Sequence, residues 1–204
     1  MHAIKKEKTM KGESFNIIIN GVGGQGQLTL LRILAFSALK ENLKVKWSEV
    51  HGLSQRGGSV EVHLKFGKKI FSPLVCQADA DFILSLELQE AQKALYYASS
   101  KTQFLINETI IPIPSEKISE KEEILNSLKK FTKKIEILPA SKICQEKFQK
   151  EILAGVLLLG YSLNKKFLPL KKDSLLEGIK KVVPEKYQKE NLEAFKMGFY
   201  FKSE

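Results

Sequence analysis

Two glycine-rich segments less than forty residues apart contain most of the residues that could do chemistry. The first, residues 21–26, reads Gly-Val-Gly-Gly-Gln-Gly. The second, residues 49–59, reads Glu-Val-His-Gly-Leu-Ser-Gln-Arg-Gly-Gly-Ser. Glycines let a backbone turn tightly and approach a phosphate, and the free N–H groups of a helix N-terminus favour an anion. Both segments are therefore candidate sites for an anionic ligand.

The first segment satisfies the G-x-G-x-x-G pattern of dinucleotide-binding loops, between a predicted strand and a predicted helix. Glu49 follows Gly26 by 23 residues, about the distance of a ribose-binding carboxylate. Thr29 could donate to a phosphate or bond back to its own helix. Gln25 could orient a ligand or satisfy the loop's own backbone. The pattern also fits glycines that are needed only for a tight turn and close helix–sheet packing.

The second segment is the more unusual of the two. Arg56 lies among its glycines, and the only other arginine of the chain is Arg32. A guanidinium binds phosphate or carboxylate through two parallel hydrogen bonds, so Arg56 is a candidate ligand contact. Glu49 could instead pair with Arg56, and Gln55 could satisfy the loop backbone. His51 could donate a proton, contact an anion, or serve only to structure the loop.

Hydrophobic periodicity predicts the elements that position these segments. Strands are predicted over residues 15–20, 45–50, 59–66, 81–86, 103–107 and 135–138. Helices are predicted over residues 28–40, 87–98, 119–131, 141–148, 152–163, 174–182 and 185–201. A capping box of Ser119 and Glu122 opens the third helix, residues 110–114 form an extended connector, and helix 152–163 is buried in the core or at a subunit interface. The alternation predicts an α/β fold: a doubly wound, mainly parallel, Rossmann-like sheet with C-terminal helices, and both glycine-rich segments at one sheet edge.

Composition limits the classes of function. A chain of 204 residues with 43% hydrophobic content can build one core, which predicts a single domain over residues 14–204. The start of the chain is basic and is not followed by a signal-peptide apolar stretch, which predicts a flexible basic tail over residues 1–13. No apolar run has the length of a membrane span, which predicts a cytoplasmic protein. Cys76 and Cys144 are the only cysteines, which fits a reducing compartment and is too few for an iron–sulfur cluster, so we expect no metal site.

The formal net charge of +10 favours acidic partners such as nucleic acid, an anionic cofactor or an acidic protein. The lysines are spread along predicted helix faces without interleaved aromatic residues. This pattern favours a solvated surface, and we expect neither a nucleic-acid site nor a membrane contact.

Three motifs together resemble one enzyme family. They are Gly-Val-Gly-Gly-Gln-Gly at 21–26, Ser-Glu-Val-His-Gly at 48–52 and Gln-Arg-Gly-Gly-Ser-Val at 55–60. They resemble the gamma subunits or domains of the 2-oxoacid:ferredoxin oxidoreductases, most closely the beta subunit type of indolepyruvate ferredoxin oxidoreductase. The likeness covers residues 14–200 and continues through Phe66-Gly67, Ser72-Pro73, Ala80-Asp81, Leu86-Glu87 and Asn191-Leu192-Glu193-Ala194-Phe195. Gln27 and Gly155 depart from the residues usual in the family.

The resemblance implies an accessory subunit. The complex would decarboxylate an aryl 2-oxoacid oxidatively with coenzyme A, giving acyl-CoA, carbon dioxide and reduced ferredoxin. An alpha subunit, in a heterodimer or heterotetramer, would carry thiamine diphosphate, Mg and 4Fe-4S clusters, and this chain would be inactive alone. Coenzyme A is implied at the edge of the two segments. The implied binding residues are Gly21, Gly23, Gly24, Gln25, Gly26, Thr29, Glu49, His51, Gln55, Arg56, Gly57, Gly58 and Ser59; no residue is assigned a catalytic role.

Two other functions stay open at this point. The first segment and Glu49 would also suit a free-standing NAD- or FAD-binding Rossmann oxidoreductase. The lysine content would suit a nucleic-acid-binding module, although nothing besides charge supports it. Cofactor retention by the isolated chain would favour the first of these, and a steep salt dependence of RNA binding would favour the second.

Overall fold

The computed structural model describes residues 13–51, 58–112 and 119–202, and of His51 the backbone alone. Within these ranges the chain forms six strands and seven α-helices. The strands are β1 (Ser14–Val22), β2 (Lys44–His51), β3 (Ser59–Gly67), β4 (Phe82–Ser85), β5 (Gln103–Asn107) and β6 (Ile135–Leu138). The helices are α1 (Gln27–Lys40), α2 (Leu88–Lys93), α3 (Lys121–Lys129), α4 (Ala140–Phe148), α5 (Ala154–Asn164), α6 (Lys172–Val182) and α7 (Glu185–Tyr200). One 3₁₀ turn, Ala94–Tyr97, follows α2, and another, Glu151–Leu153, precedes α5.

The strands form one mixed sheet in the order β2-β3-β1-β4-β5-β6. β1, β4, β5 and β6 pair in parallel, whereas β3 lies antiparallel between β1 and β2. The predicted α/β class and the mainly parallel sheet are thus confirmed. The reversed β3 follows from the chain length available: seven residues separate β2 from β3, and a parallel crossover needs a dozen or more.

Helices cover both faces of the sheet. On one face, α1 and the C-terminal helices pack against Ile17 and Ile19 of β1. On the other face, α2 and α3 pack against Ile18. Because β1 is buried on both sides, its sequence is apolar almost throughout. The helix after β1 and the helix after β4 lie on opposite faces, so the junction of β1 and β4 is the topological switch point, where open α/β sheets bind ligands.

The C-terminal helices are held together by close backbone contact. Every residue of α5 from Ala154 to Ser162 is buried, which confirms the predicted burial and places this helix in the chain's own core. A Cβ atom on Gly160 would lie 2.0 Å from the carbonyl oxygen of Phe195, and one on Gly198 would lie 1.8 Å from that of Leu157. Only glycine at these two positions lets α5 and α7 approach so closely.

Several predicted boundaries are wrong. The capping box is one, since α3 has Glu120 as its N-cap and no side chain caps it. The helix predicted over 87–98 ends at Lys93 and continues as a 3₁₀ turn. The predicted tail lies outside the described residues except for residue 13, and residues 113 and 114 of the predicted connector lie outside them as well.

Candidate functional site

The structure brings the two glycine-rich segments together at one edge of the sheet. Val22 at the end of β1 is paired with Ser59 at the start of β3. One residue further on, the Gly23 N–H donates to the carbonyl oxygen of Gly58 over 2.9 Å. Gln55, Arg56 and Gly57 lie outside the described residues, and of His51 only the backbone is described. The described ends of the two segments are therefore joined by strand pairing and by a backbone hydrogen bond.

The side chain of Gln25 satisfies the backbone of the first segment. Its Oε1 accepts from the Val22 N–H over 2.8 Å, and its Nε2 donates to the carbonyl oxygen of Leu86 over 2.8 Å. Gln27 donates in turn to the carbonyl oxygen of Val22 over 2.9 Å. A Cβ atom on Gly21 would lie 2.5 Å from Gln25 Oε1, so a larger residue there would displace the amide from this position. Of the two interpretations of Gln25, the structure supports the one in which it satisfies the loop and bridges β1 to the end of β4.

The remaining glycines of the first segment lead into α1. Gly24 and Gly26 have φ angles of +103° and +90°, which glycine adopts without strain. Gly26 is the N-cap of α1 and no side chain caps this helix. The first-turn N–H groups of a helix have no partner inside the helix, so the start of α1 keeps donors available for an acceptor group. Thr29 in this first turn is exposed.

Glu49 lies two strands away from the first segment. It pairs with Val62 of β3, and Val62 pairs with Ile19 of β1. Adjacent strands are about 4.8 Å apart, so roughly 10 Å separate the backbones of β2 and β1. In a dinucleotide-binding sheet the strand carrying the ribose carboxylate is the immediate neighbour of β1. The sequence spacing of the dinucleotide fingerprint is present, but its strand order is not.

A buried polar network joins β1, α2 and the end of the second segment. Asn20 of β1 donates through Nδ2 to the carbonyl oxygen of Glu90, and its Oδ1 accepts from the hydroxyl of Ser85. The carboxylate of Glu90 accepts from the Ser59 hydroxyl over 2.7 Å and from Lys93 Nζ over 2.8 Å. Glu90 is 2% exposed. The network links the end of the second segment to α2, and it links α2 to β1. Neither Glu90 nor Asn20 was predicted from the sequence.

Glu87 is a second buried carboxylate at this edge. It is the N-cap of α2, where it accepts from the Glu90 N–H over 2.7 Å and from the Ile111 N–H over 3.2 Å. Burial raises its pKa, and the neighbouring charge of Glu90 adds to this, against hydrogen bonds from the backbone that lower it. Leu86-Glu87 is one of the motifs of the family resemblance, but the sequence did not predict that Glu87 is buried.

Replacing Glu87 with glutamine removes this titration at nearly constant shape. Because the folded-state pKa lies above the ordinary value of 4.5, the folded chain holds the proton more tightly than the unfolded chain does. The wild type is therefore expected to lose stability relative to Glu87→Gln as the pH rises above about 4.5. Urea denaturation of both proteins at about pH 4 and about pH 7 measures this difference. The exposed Glu123 supplies the control Glu123→Gln, and a pH-independent difference for Glu87→Gln would contradict the assignment.

A cavity of about 450 Å³ opens beside the first segment. It lies between the first turn of α1, the start of α5, and the α6–α7 junction. The residues that line it are Gln25, Gly26, Thr29, Leu30, Lys150, Ile152, Leu153, Gly155, Val156, Val182, Val183, Pro184, Tyr187, Glu190 and Asn191. Three of these, Gln25, Gly26 and Thr29, were predicted binding residues. The C-terminal part of the wall was not predicted, although Asn191 begins one of the family-like motifs.

Two further properties concern the described part of the chain. No group of three or more His, Cys, Asp or Glu side chains in residues 13–51, 58–112 and 119–202 has the arrangement of a metal site. In the same ranges no helix is long and apolar enough to cross a bilayer.

Comparison with known proteins gives a consistent result. Residues 16–201 match the family described as pyruvate ferredoxin/flavodoxin oxidoreductase. The Indolepyruvate oxidoreductase subunit IorB of Archaeoglobus fulgidus is 34% identical over 189 residues, covering 90% of this chain and 93% of the relative. The subunit of the same name from Pyrococcus horikoshii is 35% identical, with 91% of this chain and 95% of the relative covered. Among solved structures, a keto/oxoacid ferredoxin oxidoreductase gamma subunit from Geobacter sulfurreducens superposes with a TM-score of 0.67 at 18% identity, covering 91% of this chain and 96% of that one. This last likeness concerns the fold.

Proposed function

Because this chain belongs to the pyruvate ferredoxin/flavodoxin oxidoreductase family, we propose that it is the beta, or accessory, subunit of an indolepyruvate:ferredoxin oxidoreductase. The complex would convert an aryl 2-oxoacid and coenzyme A to acyl-CoA and carbon dioxide, with ferredoxin taking up the electrons. The observation that carries the proposal is the match to relatives named Indolepyruvate oxidoreductase subunit IorB over nine-tenths of the chain, at 34% identity. Residues 14–204 would form one gamma-type domain of a cytoplasmic protein.

The chain's own residues support an accessory role. Two cysteines in 204 residues do not supply the four thiolates of a 4Fe-4S cluster. Among the described residues, no group of three or more His, Cys, Asp or Glu side chains is arranged for a metal ion. We assign the clusters and thiamine diphosphate to an alpha subunit. No step of the reaction is assigned to a side chain of this chain.

The shared edge of the two glycine-rich segments is the proposed contact with the partner's reaction centre. The internal hydrogen bonds of Gln25 and Gly23 make this edge a fixed surface, and Ser59 anchors the second segment to buried Glu90. Two features suit coenzyme A: the uncapped start of α1 for one phosphate, and the guanidinium of Arg56 in the second segment's sequence for another. Of the predicted binding residues, Gln25 would act by shaping the loop.

The strand order supports this proposal over a nicotinamide or flavin enzyme. β3 separates Glu49 from the first segment, and the crevice at the switch point holds the amide of Gln25. A dinucleotide bound in the usual manner would need both places. The isolated chain is therefore expected to retain no flavin and to bind no NAD in a titration.

Reconstitution with the alpha subunit tests the proposal. The chain is purified alone and together with the alpha subunit from the same cells, and reduction of ferredoxin is measured with indolepyruvate and coenzyme A. We expect no turnover with either subunit alone and turnover with the complex. Turnover by this chain alone with NAD, or the absence of any large thiamine- and cluster-binding partner in a native pull-down, would refute it.

The two arginines provide a matched pair of variants within that assay. Arg56→Ala in the complex is expected to lower kcat/KM by about 10- to 100-fold, since a charge-assisted hydrogen bond contributes about 1.5–3 kcal/mol. Arg32 is exposed on α1, and Arg32→Ala is expected to leave kcat/KM within about two-fold. Equal effects of the two substitutions would contradict a ligand or partner contact at Arg56.

A further inference from the structure

We propose that the cavity between the first turn of α1 and the C-terminal helices binds the ring of an indole-type acid. The inference rests on the proposed function for its choice of ring, because an aryl 2-oxoacid and its product both carry such a group. It adds a place on the accessory subunit where that group binds.

The size and walls of the cavity fit a single aromatic ring system with a short side chain. A volume of about 450 Å³ falls within the range of small-molecule sites. The walls are mainly aliphatic, from Leu30 of α1, Val156 of α5, and the stretch Val182–Val183–Pro184. Ile152 and Tyr187 are 52% and 43% exposed, so the opening has apolar side chains that a ring would cover.

Among the polar side chains that line the cavity, that of Asn191 is the buried one. The residue is 8% exposed, and its Nδ2 donates to the carbonyl oxygen of Tyr187 over 2.9 Å. Because a carbonyl oxygen can only accept, the side chain must present Nδ2 to Tyr187, and Oδ1 is the remaining acceptor. No described residue donates to Oδ1. The wall is mainly aliphatic. An acceptor there favours a ring with an N–H donor, because a ring without one would leave the acceptor unpaired on binding.

Polar groups at the opening suit the acid end of such a ligand. Thr29 is exposed in the uncapped first turn of α1. Lys150 Nζ and the carboxylate of Glu190 form an ion pair, with contacts of 2.6 and 2.7 Å. Since this pair is close to neutral, most of the affinity comes from the ring and the N–H, and the acid group stays at the opening.

A titration of the full-length chain tests the inference. Indole-3-acetate is the probe, and 1-methylindole-3-acetate is the matched probe without the N–H; binding is followed by saturation-transfer NMR and calorimetry. We expect saturable binding of indole-3-acetate with a Kd at or below about 1 mM, and at least about five-fold weaker binding of the methylated probe. The absence of saturation up to about 10 mM, or equal affinity for both probes, would overturn the inference.

Two pairs of variants locate the site. Asn191→Ala is expected to bring the two probes to within two-fold of each other, whereas Asn126→Ala, at an exposed position on α3, keeps the difference. Ile152→Trp is expected to weaken both probes by about ten-fold by filling the opening, whereas Leu39→Trp, at a position 56% exposed on α1, leaves binding unchanged. Thermal unfolding confirms that each variant is folded. Binding that survives both Asn191→Ala and Ile152→Trp would overturn the inference.

The outcome is separable from that of the proposed function. A chain that restores turnover with its alpha subunit but does not bind indole-3-acetate refutes the ring site and leaves the accessory role in place. A chain that binds the probe through Asn191 but has no alpha partner refutes the accessory role and leaves the ring site in place.

Discussion

Replacing Gly198 with alanine is expected to destabilise the chain by about 3 kcal/mol or more. The added Cβ would lie 1.8 Å from the carbonyl oxygen of Leu157 and 2.8 Å from its carbonyl carbon. Backbone atoms cannot rotate away as the end of a side chain can, so α5 and α7 would have to move apart. Because α5 is buried from Ala154 to Ser162, that movement would also open the core.

Helix propensity predicts the opposite sign for the change in stability. In an exposed helix interior, glycine to alanine stabilises by about 1 kcal/mol. Urea denaturation of Gly198→Ala and of the wild type therefore decides between backbone contact and propensity. Lys196→Ala, at an exposed position of the same helix, is the control and is expected to stay within about 0.5 kcal/mol of the wild type. A stabilised Gly198→Ala protein would show that α5 and α7 are not in close contact.

Replacing Asn20 with aspartate is expected to cost about 3 kcal/mol or more at neutral pH. The two side chains have the same shape, but the carboxylate has no N–H for the carbonyl oxygen of Glu90, to which Asn20 Nδ2 donates. Asn20 is 1% exposed, so the substitution places a negative charge beside the oxygen of that carbonyl group, where water cannot solvate it. The polar network beneath the two glycine-rich segments would then be broken at its centre.

The cost is expected to depend on pH. A protonated carboxyl can donate to the Glu90 carbonyl oxygen, and burial disfavours the charged form. Both effects raise the pKa of the introduced aspartate in the folded state. The penalty is therefore small below its unfolded-state pKa, about 3.9, and grows as the pH rises from there through the folded-state pKa. Denaturation of Asn20→Asp and wild type at about pH 4 and about pH 7 measures this change. Asn126→Asp on the surface of α3 is the control, and an equal cost for Asn20→Asp at both pH values would contradict the buried hydrogen bond.

Much of the fold could be predicted from local patterns. The bounds of β5 and β6 were predicted residue for residue, and α1 and β2 to within one residue at each end. These elements have a clear hydrophobic period, which depends only on neighbouring residues. The start of α3 was wrong for a related reason: Ser119 and Glu122 have the types of a capping box, but the backbone begins the helix two residues later, at Lys121.

The site was only partly predictable, because its contacts join remote segments. The sequence left two roles open for the Gln25 side chain, orienting a ligand or satisfying the loop backbone. The choice between them depends on a hydrogen bond to Leu86, 61 residues away. Glu49 had the sequence spacing of a ribose ligand, but the antiparallel insertion of β3 moved it away from the first segment. Asn191 and the cavity wall from α5 to α7 come from the far end of the chain and had no local signal for a pocket.

The sequence by itself determined the α/β class, the strand–glycine–helix unit at residues 14–40, and the family, through three motifs whose residue types are set by tight turns and ligand chemistry. Only the tertiary structure decided the strand order, the inward use of Gln25, the burial of Glu87 and Glu90, and the cavity beside Gly26. The physical reason is that periodicity and turn chemistry are local properties. Hydrogen-bond partners, burial and cavities arise when segments far apart in the chain exclude water between them.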